Sequence, residues 1–180
     1  CDDDITRLSG MPQGPVRDQF LAGRNMIRSV LGPDALKLLS ARPGERPFIA
    51  GGPSISLSHC SSHVALAVMA TGRVGVDIER ADREIDIREV ADLSLTPRER
   101  QQLDRLAVPE VCHRFLSMWT CKEAVMKALG TGLRLAPNLI ETLAEDEKDS
   151  SVISGLQVWT TTSKAHGLII SIAAHSANKH

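Results

Sequence analysis

Aromatic side chains are nearly missing from this chain, which has three Phe, two Trp and no Tyr among 180 residues. Its core has to be built mainly from Leu, Ile, Val, Ala and Met, within an ordinary hydrophobic content of 42%. Charge of one sign is also missing. A net charge of -1 argues neither for a nucleic acid nor for an acidic membrane as a partner. Any polyanion site must be a local cluster of Arg and Lys. The four cysteines, Cys1, Cys60, Cys112 and Cys121, form no Cys-x-x-Cys pair, and no His falls at zinc-finger spacing. They read as free thiols of a cytoplasmic protein. No apolar run approaches the roughly 20 residues of a membrane span, and nothing resembles a signal peptide. Neither Gly-x-x-x-x-Gly-Lys-Ser/Thr nor Gly-x-Gly-x-x-Gly occurs, which excludes the commonest nucleotide-binding loops.

The length allows one domain or two small fused halves. Residues 1–16 are acidic and then rich in Gly and Pro, and read as a loop. Helical spacing of Phe20, Leu21, Met26, Ile27, Val30 and Leu31 predicts a helix over 16–31, with Arg17, Arg24 and Arg28 on its polar side. Gly32-Pro33 ends it, and Asp34 caps a short second helix. A turn-rich connector follows over 41–52. Strands are expected at 54–58, 64–70 and 74–78, the last two as a hairpin around Thr71-Gly72-Arg73. Thr96-Pro97-Arg98-Glu99 reads as a capping box that opens a helix. A longer helix covers 109–129 and stops at Gly130. Residues 143–151 read as an exposed charged loop, and 155–161 with 168–174 as a final hairpin. One faint internal echo joins Ser62-His63-Val64-Ala65-Leu66 to Ala165-His166-Gly167-Leu168-Ile169.

Two segments carry chemistry. Gly75-Val76-Asp77-Ile78-Glu79 ends an apolar strand, and alternation puts Asp77 and Glu79 on one face. Trp119-Thr120-Cys121-Lys122-Glu123-Ala124-Val125-Met126-Lys127 is helical, with Lys127 four residues after Glu123 on a shared face. Three carboxylates with two lysines suit a hard divalent cation holding a polyphosphate. Taken one at a time, each segment has a plain structural explanation: a solvated strand end, or an ordinary i,i+4 helix pair. Together, with 41 residues between Asp77 and Trp119, they resemble the paired signature of the 4′-phosphopantetheinyl transferases.

That resemblance implies an α+β fold of the larger, Sfp-like type: two similar halves with pseudo-twofold symmetry, each a small antiparallel sheet packed against helices. Residues 1–73 would be the N-terminal half, short of a strand for this type and binding the 3′-phosphate of coenzyme A. Residues 74–180 would carry the metal site and the catalytic helix. The implied reaction moves phosphopantetheine from coenzyme A to a serine of an apo acyl or peptidyl carrier protein. By resemblance, Asp77, Glu79 and Glu123 hold Mg²⁺ (or Mn²⁺), and Glu123 is either a metal ligand or the base for the carrier serine. Lys122 and Lys127 would neutralise phosphate, with Lys127 and Asp77 counted among the catalytic groups. Ser58 and His59, in a Ser-His-Cys segment where the family has Ser-His-Ser, would meet the 3′-phosphate. Arg46, in Gly44-Glu45-Arg46-Pro47, would clamp phosphate, as would Arg24 ahead of Arg17 and Arg28. Trp119 is expected to pack rather than touch ligand. Basic residues Arg98, Arg100, Arg105, His113 and Arg114 would steer an acidic carrier, and the protein is expected to be a monomer. A non-catalytic carrier or coenzyme A binding module on the same fold is the alternative, and an unrelated Mg²⁺-dependent nucleotide enzyme the third reading. A Ser-His hydrolase is disfavoured, because no acid or nucleophile elbow accompanies Ser58-His59.

Overall fold

The computed structural model describes residues 2–41, 46–142, 150–163 and 166–175. In chain order these give α1 (Asp2–Gly10), α2 (Pro15–Leu31), α3 (Asp34–Leu38), β1 (Leu39–Ser40), β2 (Phe48–Ile49), β3 (Ser54–Cys60), β4 (His63–Met69) and β5 (Arg73–Arg80). There follow α4 (Ile87–Ser94), α5 (Pro97–Leu103), α6 (Val108–Leu129), β6 (Ser150–Ile153), β7 (Leu156–Ser163) and β8 (Leu168–His175). The fold is α+β, with small antiparallel sheets packed on helices.

β3 and β4 form one hairpin, and β5, β8, β7 and β6 form a four-stranded antiparallel sheet in that order. The expected hairpin between β4 and β5 is therefore replaced. β4 pairs with β3 through a turn that puts Ser61 at φ 46°, while β5 leaves that hairpin and pairs with β8. The first turn that the chain can make is at 61–62, so residues 70–72 become the crossing between the two sheets. Two helices were not expected. α1 forms where a loop was read, and Asp4 in its first turn suits the positive end of a helix. α4 is capped by Asp86, whose side chain accepts from the Arg88 N–H. Strand β6 was also missed. Within the expected loop, residues 143–149 lie outside the described residues. The capping box of α5 forms as read, with both reciprocal bonds between Thr96 and Glu99.

A long helix packs on each sheet: α2 on β4, and α6 on β5, β7 and β8. Gly23 of α2 faces the side chains of Leu57 and Val64. Ile27, Leu39, Ile49 and Ile55 fill the first core, and Val125, Met126, Leu156, Val158 and Ala173 the second. A third cluster, around Phe115, Leu116 and Met118, ties α4 and α5 to α6. The two echoed histidines, His63 and His166, meet edge-on with ring centroids 5.9 Å apart.

The β3–β4 hairpin and the four-stranded sheet are joined by side chains. β5 spends one edge on β8, and at its other edge Ser54, Ser56 and Ser58 accept from the N–H groups of Val74, Val76 and Ile78, at 3.2, 3.0 and 3.3 Å. The period of two in Ser54-x-Ser56-x-Ser58 is what supplies this ladder. On its odd-numbered face β5 touches α6 almost backbone to backbone. A Cβ on Gly75 would fall on the carbonyl oxygen of Ala124 and 2.6 Å from the Ala128 nitrogen. Gly75→Ala should therefore cost about 3 kcal/mol, the upper range of overpacking, since main chain cannot rotate aside. Urea unfolding measures this, and a cost below about 0.5 kcal/mol would show that α6 does not seat on Gly75.

Candidate active site

Asp77 lies two residues beyond Gly75 on the same face of β5, so it too points at α6. It is 6% exposed. One of its oxygens accepts from the Ser58 hydroxyl at 2.7 Å and from the Lys127 ammonium at 2.7 Å. The burial of this acid is thereby compensated by two donors, one charged. Ser58 acts twice, since its oxygen also accepts from Ile78 N–H. Glu79, next on the face, is paired with Arg83.

Glu123 comes from α6, one turn before Lys127. Burial holds its carboxyl above the usual range, and Asp77 and Glu79 add to the rise while Lys127 opposes it. Burial also raises Glu79, with Arg83 opposing and Asp77 adding. The charge of Asp77 thus opposes ionisation of both Glu79 and Glu123. Among the described residues they do not form a ready-made ligand cluster. Lys127 and Arg83 hold two of them instead. The donor set is all oxygen and anionic, in kind what a hard divalent cation takes, so the residues fit such an ion. Cys60 stands close enough for Glu79 and Asp77 to raise its thiol, after burial as the main cause.

A cavity of about 320 Å³ opens beside Ser58. Arg24, Ser58 and His59, three of the expected contacts, line it with Arg7, Gln19 and Phe20. Arg24 stacks on the Phe20 ring at 4.3 Å and donates two bonds of 2.8 Å to Asp4 of α1. Arg17 holds α1 by the carbonyls of Leu8 and Met11, and Arg28 is exposed.

Two expectations need correction. Lys122 is fully buried and does not reach the carboxylates. Its three donors go to Glu99 and to the carbonyls of Ser94 and Pro137, so it ties α6 to α4 and α5 rather than meeting phosphate. Glu99 is equally buried and also accepts from Thr96 N–H and from the N–H and hydroxyl of Thr142. Arg46 is the second. Its guanidinium donates to the carbonyls of Ile55, Val74 and Ala128 and to Ser54, at the opposite end of the serine ladder from Asp77. It pins β3, β5 and α6 together. Trp119 stacks on Phe115, as packing predicts. Missed by sequence reasoning were Arg83, Asp4 and Glu99, and the Ser54/Ser56 ladder, for which the serine period was the available signal.

An anionic oxygen donor set with an attendant lysine thus lies beside an arginine-lined cavity. A family model for the 4′-phosphopantetheinyl transferase superfamily matches residues 73–173, which takes in both motifs, and the chain belongs to that superfamily. The 4′-phosphopantetheinyl transferase HetI of Nostoc sp. (strain PCC 7120) is 32% identical over 145 residues, 73% of this chain and 60% of that protein. The 4′-phosphopantetheinyl transferase AcpT of Escherichia coli (strain K12) is 31% identical over 120 residues, 66% of this chain and 61% of its own length. The chain therefore spans about 60% of the length of these curated relatives. Among solved structures, the holo-(acyl-carrier-protein) synthase (AcpS) of Thermotoga maritima has a TM-score of 0.47 at 20% identity, covering 59% of this chain and 64% of that one.

Two outcomes check the site. Lys122→Ala leaves Glu99 charged and buried, and should destabilise the protein by about 3–5 kcal/mol in urea. Were Lys122 a phosphate ligand only, stability would be unchanged. For Glu123, the raised carboxyl means that the folded protein holds its proton more readily than the unfolded chain. Stability then falls as pH rises from the ordinary glutamate value of 4.5 through the folded value. In cation-free buffer Glu123→Gln should melt higher than the unaltered protein at pH 7, and the gap should close as pH falls toward 4.5. A lower melting temperature at pH 7 would mean that Glu123 is held by a favourable partner.

Proposed function

We propose that this protein transfers the 4′-phosphopantetheine moiety of coenzyme A to a serine of an apo acyl or peptidyl carrier protein, releasing 3′,5′-adenosine bisphosphate. The observation that carries the reading is Ser58. It stands in the wall of the arginine-lined cavity and at the same time holds Asp77, so a nucleotide end and a reacting end share one residue. Membership of the superfamily supports the choice of reaction.

In this reading residues 1–73 hold the nucleotide end and 74–180 the reacting end. Arg24 and His59 meet the 3′-phosphate. Asp77, Glu79 and Glu123 hold Mg²⁺, for which Mn²⁺ can substitute. The bound ion supplies Lewis-acid neutralisation of the pyrophosphate and a template for it. Lys127, 29% exposed and bonded to Asp77, reaches a phosphate oxygen by leaving that carboxylate. Glu123 is alternatively the base that takes the serine proton, directly or through one water. The serine oxygen attacks the phosphorus that bears the pantetheine arm, and the bond to the bridging oxygen of the bisphosphate leaving group breaks. Phosphoryl transfer of this kind asks for positioning and charge neutralisation rather than covalent help from the protein.

The carrier docks on the basic side of α5. Arg98 and Arg105 are exposed there, and Leu93 and Val108 offer apolar contact beside them. Arg100 is committed to Asp92 and Arg114 to Gln102, which narrows the steering set read from the sequence. No described helix is long and apolar enough to cross a membrane. Cys60, Cys112 and Cys121 are unpaired, in keeping with a cytoplasmic, monomeric enzyme.

The test is the intact mass of an apo carrier protein incubated with this protein, coenzyme A and Mg²⁺. A gain of one phosphopantetheine arm is expected, lost with EDTA and reduced at least about 100-fold in rate by Asp77→Asn or Glu123→Ala. Coenzyme A binding with no gain on any carrier would replace this reading with that of a binding module.

A further inference from the structure

The cavity's arginine already has an anion. Arg24 gives both Nε and Nη2 to the two oxygens of Asp4, at 2.8 Å each, with both side chains 11% exposed. A carboxylate held by two parallel N–H bonds presents to guanidinium the same two-oxygen edge as a phosphate. Asp4 belongs to α1, which contributes no apolar side chain to the described core. Among the side chains of that helix whose burial is described, Asp4 is the buried one, while Ile5 is 68% exposed. Besides this pair, α1 is held by polar bonds, from Arg7 to the Ala41 carbonyl and from Arg17 to the carbonyls of Leu8 and Met11. A helix docked by its acid rather than by an apolar stripe departs from the usual packing of a surface helix. Its acid sits on the charged donor of the cavity that Ser58 and His59 also line.

We propose that Asp4 is an internal competitor for the anion site at Arg24, and so sets the affinity of the cavity for a phosphate monoester. A phosphate that takes the Nε–Nη2 edge must displace the Asp4 carboxylate, because two anions on one guanidinium edge repel. Displacement removes one of the bonds that seat α1, so ligand entry loosens that helix. The choice of coenzyme A as the natural ligand rests on the proposed function; the competition itself does not.

Calorimetric titration of the whole protein and of Asp4→Asn, with coenzyme A and separately with inorganic sulfate as a bare dianion, tests this. Charge-assisted bonds of this type predict about tenfold tighter binding to Asp4→Asn for whichever probe binds. Equal or weaker binding overturns the proposal and makes Asp4 a residue that orients Arg24. Tighter sulfate with no coenzyme A binding to either protein keeps the competition and removes the coenzyme A reading. Equal coenzyme A affinity in both proteins does the reverse. Hydrogen exchange on the unaltered protein gives a second readout that does not depend on the variant folding well. Saturating ligand should speed exchange over residues 2–10, and slowed or unchanged exchange there overturns the proposal.

Discussion

The contact between Gly75 and the backbone of α6 is the constraint on which the site depends. A strand and a helix normally keep a layer of side chains between them. Here the strand has none at Gly75, and α6 presents Ala124 and Ala128, so the two main chains touch. Asp77 is then carried within 2.7 Å of Lys127, a residue fifty positions away in the chain. Remove the close approach and the same residues would be separated by the thickness of a side chain. α6 itself is fixed at its far end, where Gly130 adopts the left-handed conformation and closes the last turn onto Lys127 and Met126.

That geometry opposes stability. Burial raises Glu79 and Glu123, and the charge of Asp77 raises both further. Lys127 and Arg83 offset part of this, and the hydroxyl of Ser58 offsets more. Functional sites commonly collect such perturbed groups, because a group held away from its ordinary protonation is one with work to do. The buried Lys122–Glu99 pair has the opposite character: every donor on the lysine is used, and the pair organises α4, α5 and α6 around the site without entering it.

The elements that carry the site were legible in the sequence for physical reasons. Strand alternation alone puts Asp77 and Glu79 on one face, and the 3.6 period alone puts Glu123 and Lys127 on another. What could not be read was which lysine of the α6 motif faces the carboxylates. α6 is apolar on nearly every side, so its pattern does not say where Lys122 points, and its partner Glu99 lies in another helix. Arg46 fails for a related reason. An arginine before a proline in a glycine-rich segment looks solvated, and nothing local reveals the four backbone and hydroxyl acceptors waiting on β3, β5 and α6. The β4–β5 crossing was misread as a hairpin because local turn residues cannot report that β8, almost a hundred residues on, is the better partner. The serine ladder was visible as a period of two, but its meaning required knowing that β5 lies beside β3.

The central claim is that Asp77 and Glu123, brought together by Gly75, serve one cation. The most direct test is a double-mutant cycle on Mn²⁺ affinity, measured by electron paramagnetic resonance with Asp77→Asn, Glu123→Gln and the pair. Ligation of one ion by both residues predicts that the second substitution adds little once the first is made, a coupling of about 1 kcal/mol or more. Losses that simply add would place the two carboxylates at separate sites and contradict the account.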